Sequence, residues 1–384
     1  LFYKTALLTA VLAATLTLMT MGFWCDSGEA GTEELGTETF FRARVLTVEK
    51  TETENEAAPG LVLKQQTLTV QIIGGPYDGR QVTVVDSHTG HPAYDFHVQP
   101  GDRVLVSAEV AGGELIGAYL ADYARDHYLF YLIGAFVLVL VLTGGLKGVK
   151  TVVTLLITGL AVGWVLLPLL LKGYNPIVLA VLVSAAVVAV TFALIGGVGV
   201  KTLAATIGTT GGLIVAGLMA FLAGSAAQLS GFDSDEAVML LYVPQAVQFD
   251  FRGILFAGMI IGALGAVMDV GMSVASAMEE VRKANPAVRP RDLFHAGMNV
   301  GRDVIGTMAD TLILAYTGAA IPLLLVFLAY DTPFLKIINL DLIATEVIRA
   351  LAGSIGMILS VPLTAVAAAL LMGRQSVDSR ASRP

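Results

Sequence analysis

Seven apolar runs follow one another along the chain, at roughly 128–145, 151–171, 176–198, 202–224, 253–279, 303–329 and 348–372. Each approaches the ~20 residues that a helix needs to cross the hydrocarbon core of a bilayer. An eighth, Leu1–Trp24, opens the chain with Lys4 as its one charge. In lipid a helix satisfies its own backbone hydrogen bonds, and an open sheet does not. The fold class is therefore a polytopic α-helical membrane protein with about eight transmembrane helices. Composition agrees: 55% of residues are hydrophobic, 14% are charged, and the mean hydropathy is +0.76. Ordinary soluble domains do not look like this.

The one long polar interval, residues 25–127, separates the first run from the rest. It holds 17 acidic against 7 basic residues, so the net charge of −8 belongs to this block. Such a surface excludes nucleic acid as a partner. Five short segments within it are rich in β-branched residues: Phe40–Lys50, Leu61–Ile73, Arg80–Val85, Arg103–Val110 and Leu115–Ala121. Glycine and proline turns at 58–60, 74–79, 99–102 and 112–113 separate them. That pattern predicts a small all-β domain, an OB-like barrel or a sandwich. The expected organisation is one helix over 1–24, the β domain over 25–127, a seven-helix bundle over 128–372 and a tail over 373–384. Cys25 is the single cysteine, so no internal disulfide forms.

Orientation follows from the basic residues, which favour the cytoplasmic side. With the N-terminus inside, the inner segments carry Lys147, Lys150, Lys201, Arg282, Lys283, Arg289, Arg291 and Arg302, and the tail carries Arg374, Arg380 and Arg383. The outer connections after the β block carry only Lys172, Arg252 and Lys336. Both termini are thus expected inside and the acidic domain outside.

Three spans carry polar stripes at helical spacing. On the first, Gly258, Gly262, Gly265, Asp269, Ser273, Ser276 and Glu280 project onto nearly one line. On the second, Asn299, Asp303, Thr307, Asp310, Thr311 and Thr317 share a broad face, with Arg302 beside it at the inner edge. The third holds Thr202, Thr206, Thr209 and Thr210 in a helix dense with glycine and alanine. Counting 1.5 Å per residue from the inner boundary places Asp269 and Asp310 both ~12–15 Å deep. Two carboxylates there cannot both stay charged unaided. Desolvation and repulsion favour a shared proton or a bound cation. The expected ion or proton pathway is Asp269, Asp310, Asp303, Arg302, Ser273 and Thr307, with Thr206, Thr209 and Thr210 near the acids. The competing reading of the glycines and threonines is plain helix packing.

His88, His91 and His97, with Asp86 and Asp95 nearby, form a candidate metal group in the β block, although their spacing matches no tight motif. No nucleophile elbow, P-loop, HExxH or CxxC occurs. Neither an enzyme nor a cofactor is expected, a bound cation apart.

The segment Gly262–Glu280 reads Gly-Ala-Leu-Gly-Ala-Val-Met-Asp-Val-Gly-Met-Ser-Val-Ala-Ser-Ala-Met-Glu-Glu. The segment Gly301–Gly318 reads Gly-Arg-Asp-Val-Ile-Gly-Thr-Met-Ala-Asp-Thr-Leu-Ile-Leu-Ala-Tyr-Thr-Gly. Together with Lys147–Lys150, Thr206–Gly212 and the β block, these resemble the YibE/F-like membrane proteins of bacteria. The resemblance covers nearly the whole chain. It implies a bacterial plasma-membrane protein of a family whose members come as fused or paired subunits. A homo-oligomer or a paired subunit, in contact with membrane lipid, is expected. More distantly, Asp269, Glu279-Glu280, Gly301-Arg302 and Thr307 are similar in layout to the RND-type permeases, including the SecD/SecF and MmpL branches. There the corresponding acid relays protons. This chain departs from them in its two extra spans, its single bundle and its much smaller outer domain.

Two functions are expected from these features. The first is a secondary transporter or exporter coupled to protons or a cation through the intramembrane carboxylates. The alternative is a non-transporting assembly factor or sensor whose outer domain binds a partner.

Overall fold

A computed structural model describes residues 37–54, 62–88, 95–111, 114–243 and 248–381. The run Leu1–Trp24 and His91 lie outside them. The chain divides into two compact units, Leu1–Thr143 and Gly144–Pro384.

The first unit contains the five strands that the turn chemistry predicts: β1 (Thr37–Glu54), β2 (Val62–Ile73), β3 (Gln81–His88), β4 (Arg103–Ala111) and β5 (Glu114–Tyr123). All pairings are antiparallel, in the order β3-β2-β1-β4-β5. The edge strands β3 and β5 approach each other, so the sheet is a nearly closed barrel. Near-closure hides edges that would otherwise recruit other strands. Side chains alternate across a strand, and the inward set is the apolar one: Ala43, Val45, Leu68, Val70, Val84, Val104 and Val106, joined by Val98 from the segment before β4. The β2–β3 turn uses Gly74, Gly75 and Gly79 at positive φ, and the Gly74 amide donates to Asp78 Oδ1 at 2.7 Å. Arg42 of β1 pairs with Asp126 at 2.5 Å, tying the barrel to the start of the next helix.

That helix, α1 (Asp126–Leu160), runs on through a π-helical segment, Ala161–Leu166, into α2 (Leu167–Leu171). The whole run is 46 residues. A straight helix of that length would be ~69 Å long, against a ~30 Å hydrocarbon core. It is not straight: Gly145 has φ 54° and ψ −130°, which ends one helix and begins another. This is the interruption that the sequence predicts between 145 and 151.

The other long helices are α3 (Pro176–Gly196), α4 (Val200–Ala226), α6 (Phe251–Ala284), α7 (Pro290–Ala329) and α9 (Asp341–Ala381), with short α5 (Asp235–Met239) and α8 (Phe334–Ile338) in the connections. Their starts are chemically marked. Asn175 accepts from the Val178 amide before Pro176, Asp250 accepts from the Gly253 amide, and Pro290 opens α7. Among the described residues six helices are long and apolar enough to cross a membrane, the broken 46-residue run being the first.

Glycine sets the closest approach in the bundle. A Cβ at Gly208 of α4 would lie 1.9 Å from Thr364 Oγ1 of α9, and one at Gly212 would lie 2.7 Å from the Gly356 carbonyl. Small residues let helix backbones meet where no hydrophobic force drives them together. The core around this contact is Leu213, Ile260, Ala263, Val267, Val274, Met278, Met357 and Val361.

Candidate functional site

Helix α6 carries two stripes, and the bundle buries one of them. Phe256, Ile260, Ala263, Val267, Val270, Val274 and Met278 are buried. At ~100° per residue, Asp269 points to the opposite side. Gly258, Gly262, Gly265, Asp269, Ser273 and Glu280 are all exposed, and Ser276 is half-buried. Helix α7 is organised the same way. It buries Leu293, Gly297, Gly301 and Leu312, and it exposes Arg302, Asp303, Thr307, Asp310, Thr311 and Thr317.

Two contacts fix how α6 and α7 run past each other. The Tyr316 hydroxyl abuts Gly262, and the Met278 sulfur abuts Gly297. Interpolating between them, Asp269 stands level with residues 306–309 of α7 and Asp310 with residues 265–268 of α6. Their axial offset is therefore only ~2–6 Å. Thr307 stands at the height of Asp269.

Neither carboxylate makes a hydrogen bond or ion pair among the described residues. Both point away from the core of their own bundle. The single chain therefore leaves both acids exposed rather than enclosed. A carboxylate left at mid-membrane costs ~2.5–3.5 kcal/mol on an insertion scale. The hydroxyls around the acids carry no such penalty, because they bond back to their own helix. Thr307 donates to the Val304 carbonyl at 3.1 Å, Thr311 to Thr307 at 2.9 Å and Thr317 to Ile313 at 2.8 Å. Nearer the start of α7 Arg302 donates to Asn299 Oδ1 at 3.2 Å, and Asp303 next to it has no partner among the described residues.

The α4 threonines separate from the acids, which corrects the expectation that they cluster together. Thr209 is fully buried, and its Oγ1 sits where a Cβ on Gly271 would be, on the packed side of α6. Thr206 donates to the Thr202 carbonyl at 2.8 Å, and Thr210 is half-buried. These residues pack the bundle. Other buried hydroxyls also lack a partner among the described residues: Ser184 and Thr191 on α3, and Ser354 and Thr364 on α9.

Two polar clusters at the ends of the bundle escape sequence reasoning, because each joins residues distant in the chain. At one end Lys201 of α4 pairs with Glu279 of α6 at 2.9 Å, and Lys283 joins Glu279 at 3.5 Å. These residues line a cleft of ~400 Å3 with Arg282, Pro286 and Met372. At the other end Arg349 of α9 pairs with Asp233 at 3.1 Å and with Glu346 at 2.5 Å, while the Ser230 hydroxyl donates to Asp341. The only cue in the sequence is a basic or acidic residue on an otherwise apolar helix flank.

In the barrel His88 and His97 stack, with ring centroids 5.3 Å apart. His88 Nε2 lies 3.6 Å from Asp86 Oδ2 and 3.2 Å from the Phe96 carbonyl. Buried Gln66 donates to both of those acceptors, at 2.7 and 2.6 Å. The arrangement pins the segment around Phe96 to β2 and β3. Among the described residues no group of three or more His, Cys, Asp or Glu is placed to hold a metal ion.

A family model for the YibE/F-like protein matches residues 132–374, and one for the YibE/F family N-terminal domain matches residues 42–123. The chain belongs to the YibE/F-like family. The second match coincides with the barrel, and the first takes in α2 to α8, most of α1 and α9 as far as residue 374. Nothing in the matches supports the more distant RND likeness. No curated protein and no solved structure matches the chain.

Proposed function

We propose that this YibE/F-like protein is a secondary transporter or exporter, coupled to protons or a cation through Asp269 and Asp310. The observation that carries the reading is two carboxylates at one depth on neighbouring apolar helices, each outside its bundle's core. Such groups are rare in membrane helices and mark ion or proton routes when they occur. Thr307 and Ser273 lie on the same faces and would carry water or supply oxygen ligands. Asp303 and Arg302 would form the inner end of the route. The protein sits in the bacterial plasma membrane with eight spans, Leu1–Trp24 among them and the 46-residue run counted as two. Both termini are inside and the barrel is outside.

The full chain in sealed vesicles tests transport itself. Under an imposed pH, sodium or potassium gradient, one of the three is expected to dissipate faster than in protein-free vesicles. If all three decay at the protein-free rate, the transport reading is lost. Topology has its own check: a reporter active only outside the cytoplasm should work when inserted at Asp331 and stay silent at Lys283. Activity at Lys283 would invert the arrangement.

A further inference from the structure

The outward face of α6 and α7 is incomplete in one chain, and we infer that a second copy of the same chain covers it. The inference rests on the placement of Asp269 and Asp310 given above and deepens the transport reading. The two aspartates would then line a polar chamber between protomers, formed from both copies.

Four observations converge on this face. First, Asp269 and Asp310 are exposed at mid-helix with no partner among the described residues, and hydrocarbon does not solvate a carboxylate. Second, glycines stand on this face in two apolar helices, and small residues let membrane helices approach; Gly262 is already met by Tyr316, but others are open. A Cβ at Gly258, Gly265, Gly306 or Gly318 would meet nothing within 4 Å, so the room is unused inside the chain. This differs from Gly208 and Gly212, whose space α9 already fills.

Third, α7 is nearly uncovered along its apolar length, only 6% of its apolar window being buried, against 56% for α6 and α9, although the 46-residue run, at 0%, is less covered still. Fourth, the charges at the inner end of this face are self-complementary. Arg302 and Asp303 are adjacent, exposed and not paired with each other. A two-fold axis along the membrane normal sets the same heights of two copies side by side, so that residue i meets residue j and j meets i. Arg302 of each copy then meets Asp303 of the other, giving two equivalent ion pairs below the chamber. A partner of different sequence would have to supply that complementarity afresh, whereas a second copy carries it already.

The test is cross-linking of the full chain in its membrane. Cysteines are placed one at a time in the Cys25→Ser background. Leu314→Cys lies on the outward face of α7 about one turn from Asp310, and Leu182→Cys is an equally exposed control on α3. Oxidation should give a dimer from the Leu314 variant and not from the Leu182 variant. Adding Arg302→Glu should cut the dimer yield ~10-fold or more, since close interfacial charge pairs couple strongly. The swap Arg302→Glu with Asp303→Arg should restore it. A monomer only, an adduct with a different protein, or a yield indifferent to Arg302→Glu would each overturn the inference. The cross-link needs no gradient, so the two readings fail separately. A dimer without flux refutes transport alone. Flux from a chain that never cross-links refutes the interface alone.

Discussion

Gly208→Val should lower the thermal unfolding midpoint of the detergent-solubilised protein by ~5–10 °C, and Gly208→Ala by a smaller amount of the same sign. The new Cβ would lie 1.9 Å from Thr364 Oγ1 and 2.5 Å from the Thr364 Cα. The second of those atoms is backbone, so no rotamer change relieves the clash and α4 must part from α9. Overpacking a tight core costs ~1–3 kcal/mol. For a unit of this size each kcal/mol shifts the midpoint by ~2–4 °C. Gly134→Ala on α1 is the matched control. Nothing lies within 4 Å of its Cβ, and alanine is ~1 kcal/mol better than glycine inside a helix. That variant should be neutral or stabilised. Equal melting of the two would mean that α4 and α9 do not meet as described.

Asp269→Asn should reduce gradient-driven flux in sealed vesicles more than ~100-fold, the scale on which a positioned proton-transfer group acts. Asparagine keeps the size and polarity of the side chain but can neither take up a proton nor hold a cation's charge. Asp269→Glu should retain part of the flux, because the titratable group survives. Thr209→Val is the informative contrast. It removes a hydroxyl that the bundle buries on the other side of α6, so flux should stay within about two-fold of the unaltered protein. A large loss with Thr209→Val and little loss with Asp269→Asn would move the route into the bundle interior, among the buried hydroxyls of Ser184, Thr191 and Thr364.

The barrel was legible because its signals are local. Glycine turns mark the ends of strands, and all five strands lie where those signals put them, with ends shifted by at most four residues. The break at Gly145 falls where the apolar run 128–145 ends, before Lys147 and Lys150. What periodicity cannot give is the direction in which a stripe faces. In water the apolar face of a helix turns inward, but in lipid a large apolar face is at home on either side. On α6 the stripe from Phe256 to Met278 and the stripe from Gly258 to Glu280 are equally regular. Only packing against α4, α7 and α9 selects the first as the core. The threonines of α4 illustrate the loss: their spacing is clear, yet whether Thr209 meets Asp269 or Gly271 depends on rotation about a neighbouring helix. The ion pairs Lys201–Glu279 and Arg349–Asp233 were hidden by distance along the chain.

In the proposed route, carboxylates on the outward face of α6 and α7 carry the coupling. A hydrophobic carbodiimide tests it most directly, since it partitions into lipid and reacts with protonated carboxyl groups there. Treated vesicles are assayed for flux, and the adduct is located by peptide mass spectrometry. An adduct on Asp269 or Asp310 is expected, with an occupancy that tracks the loss of flux. Full modification of both residues with undiminished flux, or flux lost with adducts confined to Glu279 and Glu280, would contradict it.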